Sequence, residues 1–319
     1  MPGVDPIRTN LFITILFPNL VKLTQSYHAR SDNPELFAVT VIMEYTPDEI
    51  MVVCIARQVR DGEIVAQGLA TPIVAAGYLL ARSTHAPNLY FSSAIGQGIC
   101  RDPAPLKLLQ VESLWLDKMI RSIGFVRGVA DIFPSLRPLE FFRPAQIDPM
   151  GNFNNIAFGK DYHKPRLRLP GTGGIPDVTT YLDDIYLYVP RHSRVTFVAE
   201  LDFLSGLGYS ELRTHGSGPQ YLITDLGQFD FKGENPKCKM RLVTYHRGNT
   251  IARIQAKTGF RFEIAKDVHE TEPPTEEELK LLREEIDPYS IRRLELLSGS
   301  GRRDLLRDII HQENSEVQL

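Results

Sequence analysis

The sequence predicts an α/β protein built on an open, mostly parallel sheet with flanking helices and added hairpins. Three observations predict this class. Segments of strand length alternate with segments of helix length along residues 45–93, which is the order that a parallel sheet with crossover helices requires. Capping signals precede helix-length segments, and glycine-containing turns separate strand-like pairs farther on. Because 43% of the 319 residues are hydrophobic and 24% are charged, a core of normal size is expected.

The first elements follow from capping residues and turn residues. Thr46 is placed as the N-cap of a helix at residues 47–60, and Glu49 completes a capping box. A turn then leads into a short strand at residues 64–66, and a second helix follows it. The next strand is predicted at residues 88–93. This order favours right-handed crossovers between neighbouring parallel strands.

Hairpins are predicted in the second half of the chain. Residues 140–147 and 156–159 are read as two strands that flank a turn rich in Asp, Pro, Gly and Asn. Residues 221–224 and 228–231 flank Asp225-Leu226-Gly227, in which the glycine supplies a positive φ.

The end of the predicted domain contains a strand and a capped helix. The strand is predicted at residues 260–264. Thr275 and Glu278 form a second capping box, and Pro288 ends the helix that it starts.

The chain divides into three parts by pattern. Residues 1–44 are punctuated by prolines, carry no sustained period, and are a candidate for a misassigned start. Residues 45–291 are predicted to form the α/β domain. Residues 292–319 are interpreted as a peripheral C-terminal tail with a short amphipathic segment.

Composition excludes several classes of function. A formal net charge of −3 leaves no excess of basic residues for nucleic acid. The three cysteines are far apart and the eight histidines show no ligand spacing, so neither a disulfide framework nor a metal site is predicted. This cysteine usage favours a reducing cytoplasm. The apolar run at residues 11–17 is too short to cross a membrane.

Two glycine motifs are candidate ligand loops. Gly171-Thr172-Gly173-Gly174 is either an active-site loop that brings backbone N–H groups to an oxyanion or a plain turn. A dinucleotide fingerprint is disfavoured because Pro176 stands where its third glycine belongs. Gly96-Gln97-Gly98 follows a predicted strand, where it is either part of a site at the carboxyl edge of the sheet or a tight turn.

A set of segments spread over residues 45–291 resembles the β subunits of family I coenzyme A transferases, such as glutaconate CoA-transferase. In order, these segments are residues 62–81, Ala86-Pro87-Asn88, Ala145-Gln146-Ile147-Asp148-Pro149-Met150-Gly151-Asn152-Phe153-Asn154, Leu169-Pro170-Gly171-Thr172-Gly173-Gly174, Ser205-Gly206-Leu207-Gly208-Tyr209, Thr224-Asp225-Leu226-Gly227, Thr258-Gly259-Phe260 and Leu282-Arg283-Glu284-Glu285-Ile286-Asp287-Pro288. The ordered set is more specific than any one member of it.

The resemblance implies one half of a heteromeric enzyme. It implies a separate α subunit, an α2β2-type assembly, acyl-CoA as the substrate, no permanently bound cofactor, and CoA transfer to a carboxylic acid through a β-subunit glutamate. Here Ala94 stands where that glutamate belongs, and residues 89–100 contain no Asp or Glu. Because a methyl group cannot form the acyl anhydride, covalent transfer through this chain is disfavoured.

The sequence is therefore compatible with three functions. The first is a CoA transferase subunit, the second is the β subunit of an acyl-CoA hydrolase that opens a ring or cleaves a C–C bond in steroid breakdown, and the third is a catalytically silent partner of an active α subunit. Arg143 and Pro144 replace glycines that are common in the family, and Arg143 either holds a carboxylate or phosphate bidentately or forms a structural salt bridge. The pocket candidates are Ser92, Ser93, Gly96, Gly98, Arg143, Gln146, Asn152, Asn154, Gly171, Gly173 and Gly174.

Overall fold

The computed structural model describes residues 44–68, 70–93, 97–102, 106–109, 117–233 and 237–317. The predicted extension at residues 1–44 lies outside this part of the chain apart from Glu44. The strands are β1 (Ile64–Gln67), β2 (Tyr90–Ser93), β3 (Gly98–Cys100), β4 (Met119–Ser122), β5 (Leu139–Phe142), β6 (Gln146–Ile147), β7 (Phe153–Asn154), β8 (Ala157–Phe158), β9 (Leu167–Arg168), β10 (Asp184–Val189), β11 (Gly218–Thr224), β12 (Gly227–Lys232), β13 (Lys239–Tyr245) and β14 (Glu263–Glu270).

Ten of these strands form one mixed sheet in the order β14-β13-β12-β11-β10-β5-β1-β2-β3-β4. Five of the nine neighbouring pairs are parallel, namely β1–β2, β1–β5, β5–β10, β10–β11 and β13–β14. The other four are antiparallel. The centre of the sheet is thus a parallel block from β11 to β2 with antiparallel strands added on both sides. The predicted α/β class with hairpin additions is confirmed.

Helices cover both faces of the sheet. They are α1 (Pro47–Ala56), α2 (Pro72–Ser83), α3 (Ile175–Tyr181), α4 (Ile251–Lys257), α5 (Glu276–Lys280) and α6 (Gly299–Val317). An irregular helical stretch runs through Phe125–Arg127, Gly128–Ile132 and Phe133–Leu136. A π-helical turn, Leu281–Ile286, follows α5, and a 3-10 helix, Ile291–Glu295, precedes α6.

The two faces bury two separate apolar clusters. Phe141 packs with Tyr78 of α2 on the first face, whereas Phe142 packs with Val178 of α3 on the second face. Successive residues of a strand point to opposite sides of the sheet, so one strand, β5, contributes to both clusters. This alternation decides which side chains at the end of β5 share a face.

The predicted start of the first helix is confirmed. Helix α1 begins at Pro47, and Glu49 Oε2 accepts a hydrogen bond of 2.9 Å from the Thr46 N–H, as a capping box requires. The helix ends at Ala56, a few residues before the predicted end. The hairpin around Asp225 is also confirmed, because β11 and β12 pair antiparallel.

The hairpin predicted at residues 140–159 is wrong in its pairing. Strand β5 stops at Phe142, and Pro144 next to it has no N–H to donate to a ladder. The short strand β6 pairs with β7 instead, across a turn in which Asp148 Oδ1 accepts from the N–H groups of Met150 and Asn152. Residues 157–158 pair with β9. The later strand is also displaced, since β14 begins at Glu263 rather than at residue 260.

The segment after residue 291 contributes buried side chains, where the sequence pattern indicated a peripheral tail. Arg292 and Ile309 are buried against the domain. The guanidinium of Arg292 lies 2.7 Å from Asp48, 3.1 Å from Glu49 and 2.9 Å from Asp287. Charged pairs do not produce an apolar period, and for that reason the pattern alone did not show this packing.

Candidate active-site crevice

The connections of β1 and β5 leave the sheet on opposite faces. Strand β1 leads through α2 to β2, with α2 packed on the first face. Strand β5 leads through α3 to β10, which lies next to β5 on the side away from β1. Helix α3 packs on the second face. Since β1 and β5 are neighbours, the order of strands reverses between them. Open α/β sheets bind their ligands in the crevice outside the carboxyl ends of such a strand pair.

Arg143 lies at this crevice directly after β5. Its Nη1 donates a hydrogen bond of 2.7 Å to Oε2 of Glu295, whose side chain is 3% exposed. The Tyr188 hydroxyl donates to the same oxygen over 3.0 Å. The Arg143 side chain remains 47% exposed, so it is held by its inner side and accessible on its outer side. The structure thus shows the structural salt bridge that the sequence left open, with a guanidinium that is partly exposed to solvent.

Glu295 also accepts a hydrogen bond from a backbone N–H in the first turn of α2. The Ile73 N–H near the start of this helix donates to Glu295 Oε1 over 3.0 Å. A carboxylate at a helix N-terminus is favourable, because the unpaired N–H groups there carry partial positive charge. Burial raises the pKa of Glu295, and Arg143 and the Ile73 N–H act in the opposite direction. The chain therefore supplies its own anion at the start of α2.

Glu140 is the second acidic side chain of the crevice. It lies on β5 opposite Ala66 of β1 and is partly buried. Its Oε2 is enclosed and has no hydrogen-bond partner among the described residues. Burial raises the pKa of Glu140 to about 7. A β-carbon at Gly68 would lie 3.8 Å from Glu140 Oε1, an ordinary van der Waals distance, so the carboxyl group lies beside the residue that follows β1.

The predicted serines lie at the end of β2, on the other side of β1 from Glu140. Ser92 and Ser93 are both buried, and the Ser92 hydroxyl donates to the carbonyl of Val65 over 3.1 Å. Ser92 pairs in register with Ala66, which pairs in turn with Glu140. Residues paired in parallel register point to the same face, so Ser92 and Glu140 share one face of the sheet.

The glycine turn after β2 is only partly described. Ala94 and Gly96 lie outside the described residues. Gly98 begins β3 opposite Ser93, and a β-carbon there would lie 2.5 Å from the sulfur of Met119. Close packing therefore accounts for a glycine at position 98.

The predicted amide residues are used inside the chain. The Gln146 side chain donates to Asp202 over 3.0 Å and accepts from Asn154 over 2.7 Å. Asn152 donates to Asp148 over 3.0 Å and accepts from the Gly208 N–H over 2.8 Å. These bonds tie the β6–β7 hairpin to residues 202–208.

The glycine loop at residues 171–174 leads into α3. Gly171 and Gly173 have φ values of 124° and 53°, and no atom would lie within 4 Å of a β-carbon at either position. Gly174 is the N-cap of α3, and a β-carbon there would lie 2.9 Å from Val129. The loop is therefore open at its first glycine and tightly packed at its last.

A separate surface cavity of about 590 Å³ lies near the β12–β13 turn, where Lys232, Lys237 and Lys239 are partly offset by Glu263. It is distant in the fold from the carboxyl ends of β1 and β5. Its ammonium groups are on flexible surface side chains, so we place the candidate site at the crevice.

Two crevice residues, Glu140 and Glu295, were not among the sequence candidates. Glu140 could have been noticed as an acid within the apolar run Leu139-Glu140-Phe141-Phe142. Glu295 offered no such signal, because it lies about 150 residues from Arg143 in sequence.

Histidine and metal chemistry have no support in the described part of the chain. Burial lowers the pKa of His192 to about 3 and of His246 to about 4, so both rings stay neutral at pH 7. The described residues contain no group of His, Cys, Asp and Glu arranged to hold a metal ion. Within the same ranges, no helix combines the length and apolar character that a bilayer crossing requires.

Known proteins resemble the chain over most of its length. No family model matches it. The B subunit of glutaconate CoA-transferase from Acidaminococcus fermentans is 30% identical over 259 residues, which cover 76% of this chain and 93% of that protein. The B subunit of 3-oxoadipate CoA-transferase from Pseudomonas knackmussii is 32% identical over 255 residues, or 75% and 92% of the two chains. The IpdB subunit of the cholesterol ring-cleaving hydrolase from Rhodococcus jostii is 31% identical over 237 residues, or 72% and 88%.

Solved structures agree with the sequence matches. The decarboxylase AibA/AibB superimposes with a TM-score of 0.68 at 30% identity, covering 78% of this chain and 98% of that chain. The IpdAB structure of Rhodococcus jostii gives a TM-score of 0.67 at 28% identity, with 80% and 100% covered. The sheet and its crevice therefore define an α/β protein of the CoA-transferase type. The chain belongs to the coenzyme A transferase β-subunit family, as the resemblance predicted.

Proposed function

We propose that this chain is the β subunit of a heteromeric enzyme that acts on acyl-CoA thioesters, with CoA transfer to a carboxylic acid as its first candidate reaction. The observation that carries the proposal is the match to the B subunits of two CoA-transferases, each covered over more than nine tenths of its length. The crevice adds a site that fits an anionic substrate, because Arg143 is oriented there by a buried carboxylate.

The proposed partner is a separate CoA-transferase α subunit in an α2β2-type assembly. The matched proteins are named as B subunits, and the matched structures are named as pairs, AibA/AibB and IpdAB. A CoA thioester would be the substrate, and no resident cofactor is proposed. A cytoplasmic location is proposed from the three cysteines, which are all buried as free thiols.

Hydrolysis is the second candidate reaction, and one observation favours it. Residues 89–100 contain no Asp or Glu, so the segment that holds the family glutamate offers no carboxylate nucleophile. The match to IpdB means that the chain is similar to part of a hydrolase as well as to parts of transferases. Two hydrolytic reactions are included: water replaces the carboxylic acid as the acceptor and the C–S bond of the thioester breaks with release of CoA, or water opens a ring or cleaves a C–C bond of the acyl group, as the name of the IpdB enzyme states for that protein. A catalytically silent partner of the α subunit remains the third outcome.

The test uses the complex of this chain with its α subunit. Glutaryl-CoA is incubated with the complex, with and without acetate as acceptor, and the products are trapped with borohydride or hydroxylamine before mass spectrometry. CoA transfer to acetate supports the transferase, and CoA release into water supports the hydrolase. A glutamyl-CoA thioester on this chain would contradict the placement of Ala94, and one on the α subunit would not.

Assembly is tested separately. The chain should bind the α subunit tightly and self-associate without it, because one member of a heteromer exposes its interface when alone. A monodisperse monomer with no affinity for the α subunit would contradict the proposal.

A further inference from the structure

Glu140 carries a carboxyl oxygen that the described part of the fold leaves unpaired. The enclosed Oε2 has no hydrogen-bond partner among the described residues. Glu295, by contrast, accepts hydrogen bonds from Arg143, Tyr188 and Ile73. A buried carboxylate without donors is costly, so its presence in a sheet interior calls for a use.

The position of Glu140 is that of a group facing a ligand. It lies on β5, next to β1, at the point where the order of strands reverses. Its side chain shares a face with Ser92 at the end of β2, and two strand spacings of ~4.8 Å separate β5 from β2. The carboxyl group also lies close to Gly68, which directly follows β1.

Two tyrosine hydroxyls near Glu140 donate their hydrogen bonds to backbone carbonyl groups and not to its carboxyl group. Tyr78 on α2 donates its hydroxyl to the carbonyl of Leu139 over 3.3 Å. Tyr181 on α3 donates to the carbonyl of Val129 over 2.6 Å. These are the two titratable groups of the packed helices that sense the charge of Glu140, and both are occupied elsewhere. A carboxyl group that is enclosed, unpaired and close to neutral in pKa is suited to general acid–base catalysis.

We propose that Glu140 is the general base of this enzyme, which activates a water molecule for attack on the acyl-CoA thioester. The proposal rests on the proposed function and selects, among its candidate reactions, hydrolysis of the thioester bond. The Glu140 carboxylate accepts a proton from water as the water oxygen forms a bond to the carbonyl carbon. The tetrahedral intermediate expels the thiolate as the C–S bond breaks. Protonated Glu140 then returns the proton to sulfur, which gives a carboxylic acid and the free thiol of CoA.

The test compares Glu140→Gln, Glu140→Asp and a matched control, Glu284→Gln, which changes an exposed glutamate on the π-helical turn Leu281–Ile286. Each variant is purified as the complex with the α subunit. CoA release from glutaryl-CoA is followed with a thiol-reactive dye over a range of pH. For Glu140→Gln, kcat should fall by about 10²–10⁴-fold with little change in KM, because the variant keeps the shape of the side chain and loses the base.

The pH profile distinguishes a base from a structural residue. The wild-type rate should rise through a midpoint near 7, where Glu140 loses its proton. Glu140→Gln should lose this inflection, Glu140→Asp should regain part of the rate together with the inflection, and Glu284→Gln should match the wild type. If Glu140→Gln keeps the wild-type rate and inflection, the assignment is overturned, while CoA release still supports the proposed function. If the wild-type complex neither releases nor transfers CoA, the proposed function fails and the assignment fails with it.

A second measurement needs no variant. A hydrophobic carbodiimide modifies protonated carboxyl groups in enclosed sites, so it should label Glu140 in the wild-type complex below the pKa of this group. Glutaryl-CoA should slow the labelling, as mapped by mass spectrometry. Labelling at an unchanged rate would show that the substrate does not reach Glu140 and would overturn the assignment.

Discussion

Arg143 and Glu295 lie 2.7 Å apart and connect the carboxyl end of β5 to the start of α2. Glu295 is almost fully buried, whereas Arg143 is nearly half exposed. One carboxylate thus orients the guanidinium at the mouth of the crevice and caps the helix that follows β1. The geometry of the candidate site depends on a residue near the end of the chain.

The first prediction concerns this pair. Glu295→Ala should lower the free energy of unfolding by about 3 kcal/mol, because it leaves the Tyr188 hydroxyl and the Ile73 N–H buried without an acceptor. Arg143→Ala should cost less, about 1–2 kcal/mol, because Glu295 keeps the Tyr188 hydroxyl and the Ile73 N–H as donors and can take up a proton when it loses the guanidinium. Urea denaturation of each variant measures both values. Equal costs for the two variants would contradict the role given to Glu295.

The second prediction concerns the outer side of Arg143. With glutaryl-CoA, Arg143→Ala should raise KM on the order of tenfold to hundredfold, the effect of losing a hydrogen bond to a charged group. With butyryl-CoA, which has no second carboxylate, KM should change little. Steady-state kinetics of the complex with both substrates make the comparison. A similar loss with both substrates would indicate that Arg143 contacts the CoA phosphates or acts only through the fold.

The third prediction is a pH dependence of stability caused by Glu140. Burial raises its pKa from the ordinary 4.5 to about 7, so the folded chain keeps a proton that the unfolded chain releases. The contribution to stability is therefore complete below about pH 4.5 and is lost as the pH rises through 7, by up to about 3 kcal/mol. Glu140→Gln should remove this slope, and Glu284→Gln should keep it. Denaturation curves at several pH values test the difference.

The fourth prediction has the opposite sign and concerns His246. Its ring lies 2.9 Å from both the Thr271 hydroxyl and the Thr224 carbonyl, and burial lowers its pKa to about 4. A neutral buried imidazole stabilises the fold above the unfolded pKa of 6.5, and about 3 kcal/mol is lost as the pH falls to 4. His246→Gln should flatten the stability profile between these limits. The exposed His163 serves as the control, and an equal effect of His163→Gln would refute the assignment.

The fifth prediction tests whether the segment after residue 291 belongs to the folded domain. Arg292→Leu leaves Asp48, Glu49 and Asp287 without their shared cation, which should cost about 3–5 kcal/mol. Arg302→Leu replaces an exposed arginine on α6 and should change stability little. Chemical denaturation gives both values. If Arg292→Leu is as stable as the control, the boundary predicted at residue 291 is the better description of the domain.

Caps and turns could be predicted from the sequence because each depends on residues that are close together in the chain. The capping box of Thr46 and Glu49 and the turn after Thr224 depend on residues within a few positions of each other. The family resemblance was also visible in the sequence. The pairing of β6 was not, because Pro144 decides only where β5 ends and the partner strand is chosen in three dimensions.

Some properties of the candidate site likewise follow from the sequence, and others depend on tertiary packing. The α/β class, the family and the absence of an acidic residue near Ala94 follow from the order of residues alone. Three-dimensional packing was needed to establish that the order of strands reverses between β1 and β5 and that Glu295 reaches Arg143 from a distant segment. It was also needed to establish that Oε2 of Glu140 has no partner within the described ranges. The physical reason is that the burial and charge of a side chain depend on which neighbours enclose it, and long-range packing sets those neighbours.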